Sequence, residues 1–141
     1  MKISTRSRYG LRLMTVLAHR YGTGLIHLKD IAAQEKISEK YLSQLILPLK
    51  ASGLVRSGQG AWGGYMLAKP PNQITLREIV EPLEGGVRVT ECARNASFCN
   101  KAEVCEARGV WTVLENKIID TLDNIKLSSL IKDKSRQGMR P

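Results

Sequence analysis

The sequence predicts a mainly α fold: a winged helix-turn-helix domain with a small two-stranded wing, followed by a long C-terminal helix suited to dimerisation. Three observations predict it. Two short amphipathic stretches meet at a tight turn, a glycine-rich reversal separates two strand-like runs, and a late segment repeats apolar residues every three or four positions. The 141 residues suffice for one compact domain with an appendage. No apolar stretch approaches the roughly 20 residues that cross a bilayer, and the basic N-terminus has no signal-like apolar core. A soluble, cytoplasmic protein without membrane contact is expected.

In chain order, residues 5–21 carry Tyr9, Leu13, Met14, Leu17 and Tyr21 at helical spacing, with Arg6, Arg8, Arg12 and Arg20 distributed around them, and the pattern stops at Gly22 and Gly24. Residues 29–36 read as a short helix turning Ile31 and Ala32 inward. After a turn at Ile37 and Ser38, with Ser38 as N-cap, residues 39–52 align Leu42, Leu45, Ile46 and Leu49 on one stripe. Gly53 supplies the left-handed residue that ends such a helix, and Pro48 predicts a kink or a tightened last turn. Residues 54–56 and 65–68 are strand-like and flank a wing at 57–64, where four glycines permit a tight reversal.

Thr75 and Glu78 form a capping box, with Ile74 set to staple against Ile79, so a helix is expected at 76–83 and is ended by Gly85 and Gly86. Residues 87–108 show no sustained period and read as a loop. Trp111, Leu114, Ile118, Leu122 and Ile125 then define one long helix over 108–126. The expected organisation is a DNA-binding domain at 1–84, a cysteine-bearing loop at 85–107, a dimerisation helix at 108–131 and a disordered tail at 132–141.

The net charge of +9 points to a polyanionic partner, and its distribution sharpens the inference. The first 66 residues hold ten Lys or Arg against three Asp or Glu, whereas the rest hold twelve against ten. The excess therefore falls where the helix-turn-helix and wing lie. On the helix at 39–52, Glu39, Lys40, Tyr41, Ser43 and Gln44 project opposite the core stripe; Gln suits adenine, Lys guanine and Ser either. Ser38, Lys2, Thr5 and Arg6 join them as expected DNA contacts, and on the wing so do Arg56, Gln59 and Trp62, although Trp62 suits packing on the wing base equally well. His19 and His27 stand alone and read as surface or packing histidines. No paired acid and base, nucleophile elbow or phosphate loop supports an enzyme.

Cys92, Cys99 and Cys105 fall within fourteen residues. An odd number without a secretion signal argues for metal or thiol chemistry over a disulfide framework. Zinc modules usually offer cysteine pairs two to four residues apart, which this spacing lacks. Iron-sulfur clusters tolerate looser thiolates on loops, and Arg94, Lys101 and Arg108 interleave with these three; incidental or redox-active thiols remain the alternative.

Taken together, "ISTRSRYGLRLM", "LKDIAAQEKISEKYLSQLILPLKASGLV", a wing ending "GGYML", and "CARNASFCNKAEVC" before a tryptophan-bearing helix resemble the IscR, NsrR and CymR type of winged-helix regulators, the Rrf family. The resemblance runs from about residue 2 to residue 125. It implies a homodimer paired through the long helix, two helix-turn-helix units on a palindromic operator in double-stranded DNA, and Cys92, Cys99 and Cys105 as ligands of an iron-sulfur cluster of two or four irons. The expected function is a repressor sensing cluster, redox or nitric oxide state. Relatives without a cluster imply the alternative, a regulator of sulfur metabolism controlled by a protein partner or thiol oxidation. Two positions where relatives can offer a fourth ligand hold Arg108 and Arg8, which leaves Glu103, Glu106, a residue of the other subunit or an external ligand for that role. Gln59 stands where many relatives carry arginine in the wing, and Ser43 where one branch carries an acidic residue, so operator preference does not transfer.

Overall fold

The computed structural model describes residues 1–59 and 63–132. It contains α1 (Thr5–His19), α2 (Leu28–Glu35), α3 (Glu39–Ala51), β1 (Val55–Ser57), β2 (Tyr65–Leu67), α4 (Leu76–Glu84), α5 (Glu91–Arg94), α6 (Glu106–Asp123) and α7 (Leu127–Lys132). Short 3₁₀ turns fall at Pro71–Gln73 and Ala96–Phe98. This is a mainly helical winged-helix fold.

Local chemistry sets the first elements. Ser4 caps α1 by accepting from the Ser7 N–H, and Ser38 caps α3 by accepting from the Tyr41 N–H at 3.0 Å. Between α2 and α3, Lys36 takes the left-handed conformation at φ 56°, the one described non-glycine residue to do so, and this tight turn sets the angle of α3. Pro48 lies within α3 without ending it, and the Ser52 N–H and hydroxyl both turn back to the Pro48 carbonyl, tightening the last turn as expected. Tyr21 falls beyond α1 and is exposed, because the helix ends before the glycines and the turn carries Tyr21 outward.

β1 and β2 pair antiparallel with Val55 opposite Leu67 and Ser57 opposite Tyr65. Ile26 adds a separate bridge by exchanging backbone bonds with Tyr65 at 2.8 and 2.9 Å, which ties the wing to the turn before α2. Leu13, Leu17, Ile31, Leu42, Leu45, Ile46, Leu49, Leu54, Leu67, Ile74 and Ile79 form the centre of a single core. Both halves of the Thr75–Glu78 capping box form at the start of α4, and Ile74 and Ile79 are both fully buried.

The C-terminal region departs from the sequence expectation twice. Residues 87–108 are not one featureless loop: they form α5 and a 3₁₀ turn, and α6 begins with Cys105 as its N-cap. The long helix also ends early, at Asp123. The Leu76 N–H donates to the Ile125 carbonyl at 2.9 Å, and the Leu127 N–H donates to the Ile74 carbonyl at 2.8 Å. This backbone bridge pulls residues 125–127 against the start of α4, so α7 runs separately and packs across α1. Leu127 is fully buried, and Leu122, Ile125, Leu130 and Ile131 pack against the core. The expected disordered tail beyond residue 132 lies outside the described residues.

Candidate nucleic-acid interface and cysteine segment

On α3, Ser38, Glu39, Lys40, Ser43 and Gln44 are exposed, while Leu42, Leu45, Ile46 and Leu49 face the core. The helix is therefore seated by one face and free along the other. The Ser43 hydroxyl donates to the Lys40 carbonyl at 2.6 Å, which commits its proton and leaves an acceptor outward. Ser38 spends an oxygen lone pair on the cap. Tyr41 is half-buried, its ring edge-on to Tyr9 with centroids 5.9 Å apart, and the Arg8 and Arg12 guanidiniums lie over the Tyr9 ring at 5.7 and 5.4 Å. This stack joins α1 to α3. Thr5, Tyr9, Lys36, Ile37, Ser38 and Tyr41 line an open crevice beside it, at the starts of α1 and α3.

Lys2 and Thr5 are exposed. Arg6 is exposed too, but its Nε donates to the Leu83 carbonyl at 3.1 Å, so part of its guanidinium caps α4. Glu84 holds the same corner by accepting from the Ser4 N–H and from the hydroxyls of Ser4 and Ser7. Burial opposes its ionisation, yet those bonds from Ser4 and Ser7 and the nearby Arg6 charge prevail and keep its carboxyl below the ordinary range. On the wing, Arg56 and Gln59 are exposed and the Arg56 Nε reaches the Met66 sulfur at 3.1 Å. Trp62 lies outside the described residues.

The cysteine segment folds against α6. Cys92 is half-buried, with its sulfur 3.3 Å from the Thr90 hydroxyl; Cys99 and Cys105 are exposed, and all three are free thiols. Arg108 Nε donates to the Cys92 carbonyl at 2.6 Å and its Nη1 to the Ala102 carbonyl at 3.5 Å, so this guanidinium ties the segment down. Glu103 and Glu106 are exposed. Three thiols suit soft iron as a donor set. Among the described residues, however, no three His, Cys, Asp or Glu side chains are gathered as a metal site, so the expected ligand set is present in chemistry but not assembled. Arg108 of α6 holds the Cys92 carbonyl, Cys99 closes the 3₁₀ turn and Cys105 is the N-cap of α6, so each cysteine is placed by a different local element.

Of the apolar stripe expected to pair two subunits, Trp111 is 39% exposed and Leu114 and Ile118 are half-buried. Leu122 and Ile125 turn instead to their own core. α6 also exposes Val110 at 60% and Val113 at 57%, which lie beside the expected stripe and not on it. The sequence reading passed over Glu115, buried to 3% exposure, whose position four residues after Trp111 and three before Ile118 placed a charge on an apolar face.

Residues 3–133 match the Rrf2 family, described as iron-dependent transcriptional regulators. The chain is 39% identical over 130 residues to the HTH-type transcriptional regulator CymR of Bacillus subtilis, covering 92% of this chain and 89% of that one. It is 33% identical over 134 residues to the HTH-type transcriptional regulator IscR of Pectobacterium atrosepticum, covering 95% and 81%. Among solved structures, that of CymR, the global cysteine regulator of B. subtilis, aligns with a TM-score of 0.76 at 38% identity, over 94% of this chain and 97% of that one. T. potens IscR aligns with a TM-score of 0.78 at 35% identity, over 100% and 93%.

Proposed function

The chain belongs to the Rrf2 family of DNA-binding transcriptional regulators, and from that premise we propose that it is a cytoplasmic, homodimeric repressor that reads a palindromic operator and senses through its cysteine segment. One observation carries the reading: α3 is locked to the core by four leucine and isoleucine side chains while Lys40, Ser43 and Gln44 stand exposed on its outer face. A rigid helix with a free polar face suits base readout in a major groove. Lys2, Thr5 and Arg6 at the start of the chain and Arg56 and Gln59 on the wing are exposed and would serve backbone contacts, which position without reading sequence. Two such units need a two-fold axis. Exposed and half-buried apolar residues of α6, Val110, Trp111, Leu114 and Ile118 with Val113 at their edge, would pair with the same residues of a second subunit.

For sensing, Cys92, Cys99 and Cys105 would hold an iron-sulfur cluster, whose iron supplies a redox- and nitric-oxide-responsive centre when bound. What the chain itself contributes is a segment whose thiols are free and which directly precedes α6. A second reading is favoured by the exposure of Cys99 and Cys105 and by the 39% identity to CymR: a regulator of cysteine or sulfur metabolism without a cluster, controlled by thiol oxidation or a partner protein. Anaerobic reconstitution with iron and sulfide, followed by visible absorbance and iron analysis, separates the two. One cluster per subunit, lost on changing any one cysteine to alanine, supports the first reading; loading that survives Cys99→Ala contradicts the ligand set, and no loading at all selects the second.

A further inference from the structure

Glu115 is a buried carboxylate on a helix that buries none of its other seventeen residues fully. A charge taken from water is costly unless it is paired and bonded. Its partners all come from the cysteine segment. Oε1 accepts from the Val89 N–H at 3.2 Å, and Oε2 accepts from Arg94 Nε at 3.4 Å. Val89 and Arg94 bracket Cys92 in sequence, and between them Thr90 caps α5 by accepting from the Ala93 N–H while its hydroxyl touches the Cys92 sulfur. With Arg108 holding the Cys92 carbonyl, these bonds seat the first cysteine on α6.

We propose that Glu115 is the positioning residue that fastens Cys92 to α6 and so couples thiol chemistry to the helix that pairs the subunits. The proposal rests on the reading of the cysteine segment as the sensing element and assigns the part of α6 that registers it. Cys92 cannot leave its seat to join Cys99 and Cys105 while the Glu115 carboxylate keeps Val89 and Arg94. An event that moves Cys92 off α6 toward the other two thiols must release that carboxylate. A buried charge left without partners then favours a different setting of α6.

The test is site-resolved alkylation of the reduced, full-length protein with iodoacetamide, read by mass spectrometry. In the native chain Cys99 and Cys105 react fast and Cys92 slowly. Glu115→Gln and Arg94→Ala each accelerate Cys92 by roughly tenfold, the scale set by losing one charged hydrogen bond, and leave the other two rates unchanged. The double variant accelerates Cys92 no more than either single variant, because both remove one coupled pair. An unaltered Cys92 rate, a parallel rise at all three cysteines, or additive effects in the double variant each overturn the proposal. If Glu115→Gln fails to fold by circular dichroism, the exposed Arg94→Ala decides alone: a faster Cys92 supports the seat and an unchanged one refutes it. Neither DNA nor iron enters the measurement, so loss of the cluster reading leaves this outcome separately legible.

Discussion

The two halves of this molecule are built to different standards of completeness. From α1 to α4 one core is buried, with Leu13, Leu42, Leu45 and Ile79 fully covered and α7 laid across it, and α1, α3 and α4 each start on a side-chain cap. In the cysteine segment and α6, by contrast, Val110, Val113, Phe98 and Val104 are more than half exposed, and the one buried residue of α6 is an acid. On the proposed reading, the difference teaches that the candidate DNA-reading surface is finished by folding, whereas the C-terminal half leaves an apolar flank and free thiols for a second subunit and for chemistry at sulfur.

The comparison breaks most visibly in the core. Leu45→Ala removes a fully buried side chain and should cost about 2–5 kcal/mol in urea unfolding, whereas Val113→Ala should alter subunit stability by less than about 0.5 kcal/mol. If Val113→Ala matched Leu45→Ala in the monomer, α6 would be part of a finished core after all. On the other side, Val110→Glu combined with Val113→Glu should give monomers by light scattering with the fold intact by circular dichroism. A dimer of undiminished strength contradicts the paired-helix reading.

Smaller effects sharpen the contrast. Thr75→Ala removes the α4 capping box and should lower stability by about 1 kcal/mol. Equal stability by urea titration would mean that the Ile125 backbone bridge alone holds the start of that helix. Glu84 should give a pH signature: its folded carboxyl lies below the ordinary value of 4.5, so its contribution is complete above that value and is lost as pH falls through the lowered one. The melting-temperature gap between the native chain and Glu84→Gln should therefore be full at neutral pH and close in acid. A gap that widens in acid has the wrong sign for the Ser4 and Ser7 bonds.

What was legible in the sequence follows the same division. The Ser38 cap, the Thr75–Glu78 box, the glycine ends and the α3 stripe are local patterns, satisfied within a few residues, and they fold as read. The break after Asp123 was not legible, because it depends on residues 125–127 pairing with residues 74–76, some fifty positions earlier. Glu84 and Glu115 were missed for a like reason: their partners are Ser4 and Ser7 across the fold and Val89 and Arg94 on another element. Spacing and resemblance give the cysteines as a donor set without its arrangement in space. Arg108, in sequence a cation beside the cysteines at a position where relatives offer a ligand, holds the Cys92 and Ala102 carbonyls.

The central claim, that the chemistry of the cysteine segment governs DNA reading by the other half, is tested most directly by operator affinity in three states. A duplex selected by the protein from random DNA would be titrated anaerobically against reduced protein, protein reconstituted with iron and sulfide, and protein oxidised by peroxide. The account predicts that at least one treatment shifts affinity by roughly tenfold or more in the native chain and that Cys99→Ala abolishes the shift. Affinity that is the same in all three states contradicts it.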